Sequence, residues 1–240
     1  MLKKTFLILL FSLFIVPFKA QNWLGIKVSR NNIITVKRQT ANYDKINIGG
    51  PFNVELVKGK EGAILIEGDK DIIPYIDTEV SENTLKVKYK KKTNTKGSRK
   101  LTVIIPVETI SNISFGGSGQ LTCKTIIKAN NLTVSLGGSG MVSLNTETTT
   151  VYSSIGGSGN IELSGKTINF KCSIAGSGNI KATNFKTDNI DAKIAGSGNI
   201  NCYASKTLKA KIVGSGNIYY KGNPTIESKS LGSGDVINNN

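Results

Sequence analysis

Apolar and polar residues alternate along most of this chain, and in its second half the alternation is locked to a recurring Gly-Ser-Gly. The copies are centred on Ser118, Ser139, Ser158, Ser177, Ser197, Ser215 and Ser233, separated by 21, 19, 19, 20, 18 and 18 residues. Three positions before each serine stand Phe115, Leu136, Ile155, Ile174, Ile194 and Ile212, with Ser230 breaking the column. Three positions after stand Leu121, Val142, Ile161, Ile180, Ile200, Ile218 and Val236. A further column seven positions before reads Ser111, Leu132, Val151, Phe170, Ile190, Leu208 and Ile226; one five positions after reads Cys123, Leu144, Leu163, Ala182, Cys202 and Tyr220. The apolar offsets within each stretch differ by even steps, the period of a strand, and mostly Thr, Lys, Ser and Asn lie between them. No helical period competes.

Spacings of 18 to 21 residues are too long for an array of two-residue hairpins and too short for βαβ units. One copy is therefore one coil. A coil of short strands cannot cover its own apolar face, but a second coil stacked about 4.8 Å above pairs every strand and extends each column into a ladder. The pattern predicts an all-β fold, a single-stranded right-handed parallel β-helix (solenoid) with coils of about 19 residues. The hand follows from the preference of parallel crossovers. Gly-Ser-Gly then marks a corner at which glycine accepts a positive φ. The residues that follow it, Asn160, Asn179, Asn199 and Asn217, are placed to form an amide ladder.

The first half has the alternation without the punctuation. Ile46-Asn47-Ile48, Phe52-Asn53-Val54-Glu55-Leu56, Ala63-Ile64-Leu65-Ile66, Leu85-Lys86-Val87 and Leu101-Thr102-Val103-Ile104 read as strands, with turns at Gly49-Gly50-Pro51 and at 58–62. Nothing there sets a register, so both a continuation of the solenoid and an antiparallel start stay open. Residues 21–40 are expected to cap the solenoid end. The domain plan is thus a single β-helix domain over 21–240, with a less regular strand-rich part at 33–110 and repeat coils at 111–236.

Residues 1–20 read as an address. Lys3 and Lys4 precede an uncharged run from Phe6 to Val16, with Pro17 and Ala20 before a cut at Gln21, the layout of a signal peptide. With no cysteine near the cut, a lipoprotein anchor is not expected. The expected location is the periplasm, the outer-membrane surface or the medium.

Charge and chemistry narrow the classes further. Removing Lys3, Lys4 and Lys19 leaves 28 basic residues against 16 acidic. Eight of the positive charges, Lys86, Lys88, Lys90, Lys91, Lys92, Lys96, Arg99 and Lys100, fall within fifteen residues that hold no acid. That run is the candidate patch for an anionic glycan, a lipid headgroup or another envelope component. It is equally the composition of a solvated strand and turn whose lysines discourage edge pairing. Nucleic acid is disfavoured, because the run has only Tyr89 for stacking and the protein is expected outside the cytosol.

The sequence has no histidine, which removes serine-histidine and cysteine-histidine catalysis and imidazole-ligated metals. Its three cysteines lack CxxC spacing, and all fall in apolar columns, so three buried free thiols are expected. The glycines match neither a P-loop, nor a dinucleotide fingerprint, nor a GxSxG elbow. No cofactor is called for.

Several of these features together resemble a known family. The exported amino terminus, Phe52-Asn53-Val54-Glu55-Leu56 after Gly49-Gly50, Thr78-Glu79-Val80 leading to Leu85-Lys86-Val87, and the serial Gly-Ser-Gly-Asn-Ile copies are similar to the putative auto-transporter adhesin head GIN domain family, over roughly residues 33 to 236. The resemblance implies a right-handed parallel β-helix exported by Bacteroidetes-type bacteria, with proposed adhesion and no known catalytic residues.

Two function classes follow. One is a non-catalytic, adhesin-like binding or structural module whose outer faces engage a glycan, an envelope component, another protein or a second copy. The alternative is a polysaccharide-active enzyme, a lyase or hydrolase, which would need carboxylates converging on one outer face. The acids after residue 110 argue for the first. Glu162 has Ser143 below it and Lys181 above it, as in an ordinary cross-strand pair. Asp188 and Asp191 are expected in one loop, without acidic neighbours in adjacent coils.

Overall fold

The computed structural model describes residues 32–90 and 101–240. The predicted signal peptide, most of the predicted cap and Lys91, Lys92, Lys96, Arg99 and Lys100 lie outside the described residues.

In chain order, β1 (Ile33–Gln39), β2 (Lys45–Gly49), β3 (Asn53–Lys58) and β4 (Ala63–Asp69) lead to a short 3-10 turn at Ile73–Tyr75. Then come β5 (Ile76–Ser81), β6 (Thr84–Tyr89), β7 (Thr102–Val107) and β8 (Asn112–Gly117). The repeats follow as β9 (Gln120–Gly138), β10 (Met141–Gly157), β11 (Asn160–Gly176), β12 (Asn179–Gly196) and β13 (Asn199–Gly214). The last elements are β14 (Ile218–Lys221), β15 (Thr225–Gly232) and β16 (Val236–Asn238). All sixteen strands of the described residues belong to one sheet.

From β8 onward the chain is a parallel β-solenoid, each long strand bending round the axis as one coil. Its register is the serine alignment itself: Val142 lies beside Ile161, Ile161 beside Ile180, and Ile180 beside Ile200. Ile161, Ile180 and Ile200 are fully buried, as their column requires. Parallel stacking explains why the columns hold one residue type, because each inward side chain packs on its own counterparts one coil above and below.

A third inward face, between the two stretches that flank each corner, is less regular. It buries Ile127, Phe185 and Ala204 together with Thr146, Thr167 and Thr187. Two of these threonines bond to carbonyls two residues away: Thr167 Oγ1 donates to Asn169 O at 3.2 Å and Thr187 Oγ1 to Phe185 O at 3.1 Å. Phe170 and Phe185 meet edge to face with centroids 5.5 Å apart, filling the interior where the coil bulges.

The corners use two glycines for two different reasons. Gly176, before Ser177, has φ +130°, a conformation that side chains rarely adopt. Gly178, after the serine, has no such φ. A Cβ there would collide with the Gly159 carbonyl of the coil below and come within 2.8 Å of Ile155 Cγ2. The expected positive φ therefore belongs to the glycine before the serine, and the glycine after it answers to close stacking. The residue two before the serine is unconstrained: a Cβ at Gly156 meets nothing within 4 Å, and the same column continues as Ala175, Ala195, Val213 and Leu231.

The amide ladder forms over three coils. Asn179 Nδ2 donates to Asn160 Oδ1 at 3.1 Å and Asn199 Nδ2 to Asn179 Oδ1 at 3.3 Å. At the fourth rung the backbone N–H of Asn217 takes over, reaching Asn199 Oδ1 at 3.0 Å, while the Asn217 amide turns to Tyr219.

The irregular first part belongs to the same sheet, but its coils are stacked out of sequence order. β2 lies between β6 and β8, parallel to both, and β3 lies between β7 and β9, also parallel to both. The chain makes one coil, leaves it through antiparallel excursions, and returns to lay a coil on each side. β4 runs antiparallel to β1 and β7, and β5 antiparallel to β6. The two readings left open by the sequence thus both hold. Arg38 ties β1 to this end: Nη1 donates to Ile76 O at 2.6 Å and Thr78 Oγ1 at 3.1 Å, and Nη2 to Ile73 O at 2.8 Å.

Two expectations are corrected. Cys172 and Cys202 are buried, but Cys123 is only half-buried. The register shifts just after it, where β9 carries extra residues relative to β10, and Cys123 Sγ donates to Thr125 O at 3.2 Å. Asp188 and Asp191 lie within β12 and not in a loop.

Candidate functional site

The outward faces of the coils carry the polar chemistry, and their charges are arranged in files along the solenoid axis. On the strands after each corner, Glu162 binds Lys181 at 3.0 Å, the pair expected from the alignment. On the strands before the corners, one column reads Tyr152, Lys171, Asp191, Lys209 and Glu227, so that charge alternates from coil to coil. Lys171 Nζ lies 5.3 Å from the centroid of the Tyr152 ring, and Lys209 pairs with Glu227 at 3.3 Å. On the third face Glu147 sits between Lys128 at 3.8 Å and Lys166 at 3.7 Å.

Five of the six acids after residue 110 are occupied in this way; the sixth, Asp235 at the last corner, accepts the Val236 N–H at 2.7 Å instead. Asp188 binds Lys206 at 2.8 Å and accepts from Ser205 at the same distance. These hydrogen bonds hold its carboxyl below the usual carboxylate range. Asp191 pairs with Lys193 at 3.3 Å. Carboxylates that act as acid and base on a glycosidic bond face each other across a substrate. Here Glu147, Glu162, Asp188, Asp191 and Glu227 each face a lysine. Among the described residues no group of three or more Cys, Asp and Glu is placed to hold a metal ion.

The described part of the lysine-rich run has partners. Lys86 and Lys88 lie on β6 opposite Glu79 and Asp77 of β5, with ion pairs at 3.5 and 3.9 Å. Lys90, just past the same strand, is exposed and donates its backbone N–H to Tyr75 O at 2.8 Å. The first three lysines of the run therefore belong to an antiparallel hairpin. Sequence reading missed this, since the acids lie seven and eleven residues upstream and only the hairpin register brings them opposite.

The grooves on these faces are shallow. One of about 520 Å³ runs past Ser143, Glu162, Lys181 and Asn201, and another of about 570 Å³ lies between Lys58, Glu108, Lys124 and Ile126. Such surfaces suit an extended ligand laid across several coils better than a small molecule held in a closed cavity.

A parallel β-solenoid with corner glycines, an asparagine ladder and paired outer faces defines a class of repeat protein whose function is carried on its long sides. The chain belongs to the family described as "Putative auto-transporter adhesin, head GIN domain", whose model matches residues 42–224. Among solved structures it is similar to a putative adhesin from Bacteroides fragilis, at 26% identity and TM-score 0.81, covering 87% of this chain and 97% of that one. It is also similar to a protein from Parabacteroides distasonis described as a putative lipid binding protein, at 26% identity and TM-score 0.73, covering 88% and 98%. A putative adhesin from the same species, at 22% identity and TM-score 0.71, covering 86% and 96%, shares the fold. No curated protein matches the chain. Among the described residues no helix is long and apolar enough to cross a membrane.

Proposed function

We propose that this protein is an exported, non-catalytic, adhesin-like module of the cell envelope that binds through the outer faces of its solenoid. The observation that carries the reading is the pairing of five of the six acids on the repeat coils with lysines, on faces continuous over several coils, the sixth, Asp235, being bonded to the backbone at the last corner. Among the described residues of the repeat coils that arrangement leaves no carboxylate pair poised for glycan cleavage and presents an extended surface of mixed charge. Membership of an adhesin-named family supports the same class. The basic run from Lys86 to Lys100 remains a candidate contact for an anionic ligand, with Lys86 and Lys88 acting through a hairpin that already holds two acids.

The test is to probe the mature protein against fractionated envelope components and a glycan array, with surface proteolysis of intact producing cells. Saturable binding to an envelope or glycan component, without release of new reducing or unsaturated chain ends, is the expected result. Appearance of such ends would replace this reading with the polysaccharide-active enzyme.

A further inference from the structure

We propose that the outward face of the strands preceding the corners is a binding site for a linear, carboxylate-bearing polysaccharide, laid along the solenoid axis over Lys193, Lys211 and Lys229. The inference rests on the binding-module reading above and names its site and ligand class. Lys193 lies in register beside Lys211, and Lys211 beside Lys229, on β12, β13 and β15. The three ammonium groups therefore stand in single file at the strand spacing, about 4.8 Å per coil. Like charges directly opposite on neighbouring strands are destabilising, and in the neighbouring column the molecule avoids them. The adjoining column alternates Lys171, Asp191, Lys209 and Glu227. Lys166 has Lys186 above it, but Glu147 below it forms an ion pair.

The file departs from its own column. In the coils below, the same position is Ser114, Ser135, Ser154 and Ser173. Lys193 has Asp191 at 3.3 Å, whereas Lys211 and Lys229 have no carboxylate within ion-pair distance among the described residues. Repulsion accumulated at successive coils, where serine would serve the fold, is relieved by an anion that repeats along the axis. A polyuronate carries one carboxylate per sugar, a charge repeat comparable with the coil spacing.

The flanks of the file suit sugar rings. On one side the corner column presents Ala195, Val213 and Leu231, the last two 55% and 69% exposed, an apolar rail for the C–H faces of pyranoses. At the lower end a groove of about 360 Å³ is lined by Tyr152, Ser154, Lys171, Ser173 and Lys193, with Asp191 held there by Lys193 at 3.3 Å. There the half-exposed Tyr152 ring offers an aromatic surface among hydroxyl and ammonium donors.

Calorimetric titration of the mature protein with polygalacturonate, its fully methyl-esterified form and phosphatidylglycerol vesicles tests the assignment. The variant Lys193→Ser/Lys211→Ser/Lys229→Ser restores the serine of the lower coils. A control, Lys37→Ser/Lys60→Ser/Lys70→Ser, removes the same charge from exposed sites elsewhere. Three screened surface contacts correspond to a loss of about tenfold in affinity for polygalacturonate in the first variant, with much less in the control and no binding of the ester. Equal binding by both variants, equal loss in both, or binding to vesicles but not to polygalacturonate overturns the assignment. If polygalacturonate is not bound while an envelope fraction is, the assignment fails and the binding-module reading stands; if no envelope fraction is bound either, both fail.

Discussion

Replacing Gly178 by alanine tests the reason for the repeat at its most constrained point. The new Cβ would collide with the Gly159 carbonyl and lie 2.8 Å from Ile155 Cγ2. That carbonyl cannot retreat freely, because it accepts the Asn179 N–H at 3.0 Å, a bond of the corner ladder. Overpacking of this kind costs about 1–3 kcal/mol, and a weakened ladder hydrogen bond adds about 1. The expected loss is about 2–4 kcal/mol, roughly 5–15 °C in Tm for a domain of this size. Gly156→Ala is the internal control, because nothing lies within 4 Å of its Cβ position and Ala175 and Ala195 already fill that column. It should stay within about 0.5 kcal/mol of the parent protein. Solenoids can unzip locally, so denaturant midpoints from circular dichroism should be paired with hydrogen exchange at the Asn179 amide. Equal stability of the Gly178→Ala and Gly156→Ala proteins would refute the division of labour between the corner glycines.

Arg38→Met should lower stability by about 2–4 kcal/mol, since three charge-assisted hydrogen bonds to the β5 end are lost; an unchanged denaturant midpoint would show that they are dispensable. Burial pushes the Cys202 thiol up to about 12 and the Cys172 thiol well above its ordinary 9.0. The unfolded chain therefore ionises first as pH rises, and the stability these thiols contribute is intact below pH 9 and lost progressively above it, up to about 12 for Cys202. Denaturation midpoints that stay level from pH 9 to 11 would contradict this. In the native protein a thiol reagent should reach Cys123 well before Cys172 and Cys202; equal rates at all three would contradict their burial. Lys88→Glu places a carboxylate opposite Asp77 and should loosen the β5–β6 hairpin, read as faster hydrogen exchange at Val87 than in Lys88→Gln.

The coils were legible because parallel stacking turns the period of the chain into the period of the structure. Ile161, Ile180 and Ile200 occupy the same place on three successive coils, so the same selection acts on each and the column can be read directly. The Glu162–Lys181 pair followed from that alignment, as did the ladder from Asn160 to Asn199. The first part offered no such repeat. β2 and β3 sit between coils contributed by segments some forty and seventy residues further on, and alternation alone specifies which face of a strand is buried but not its neighbour or direction.

The same limit hid the pairing of Lys86 and Lys88 with Glu79 and Asp77, the partial exposure of Cys123 at a bulge and the buried threonines of the third face. Coil length varies on that face, so no fixed offset marks it. The amino-acid sequence by itself determined the solenoid, its inward columns and its corner glycines, because contacts one coil apart are contacts one repeat apart. Only the tertiary structure decided the order of the first coils and the antiparallel end, because each depends on which backbone edges meet, whereas the file of Lys193, Lys211 and Lys229 stands four positions before three successive repeat serines and is set by the repeat.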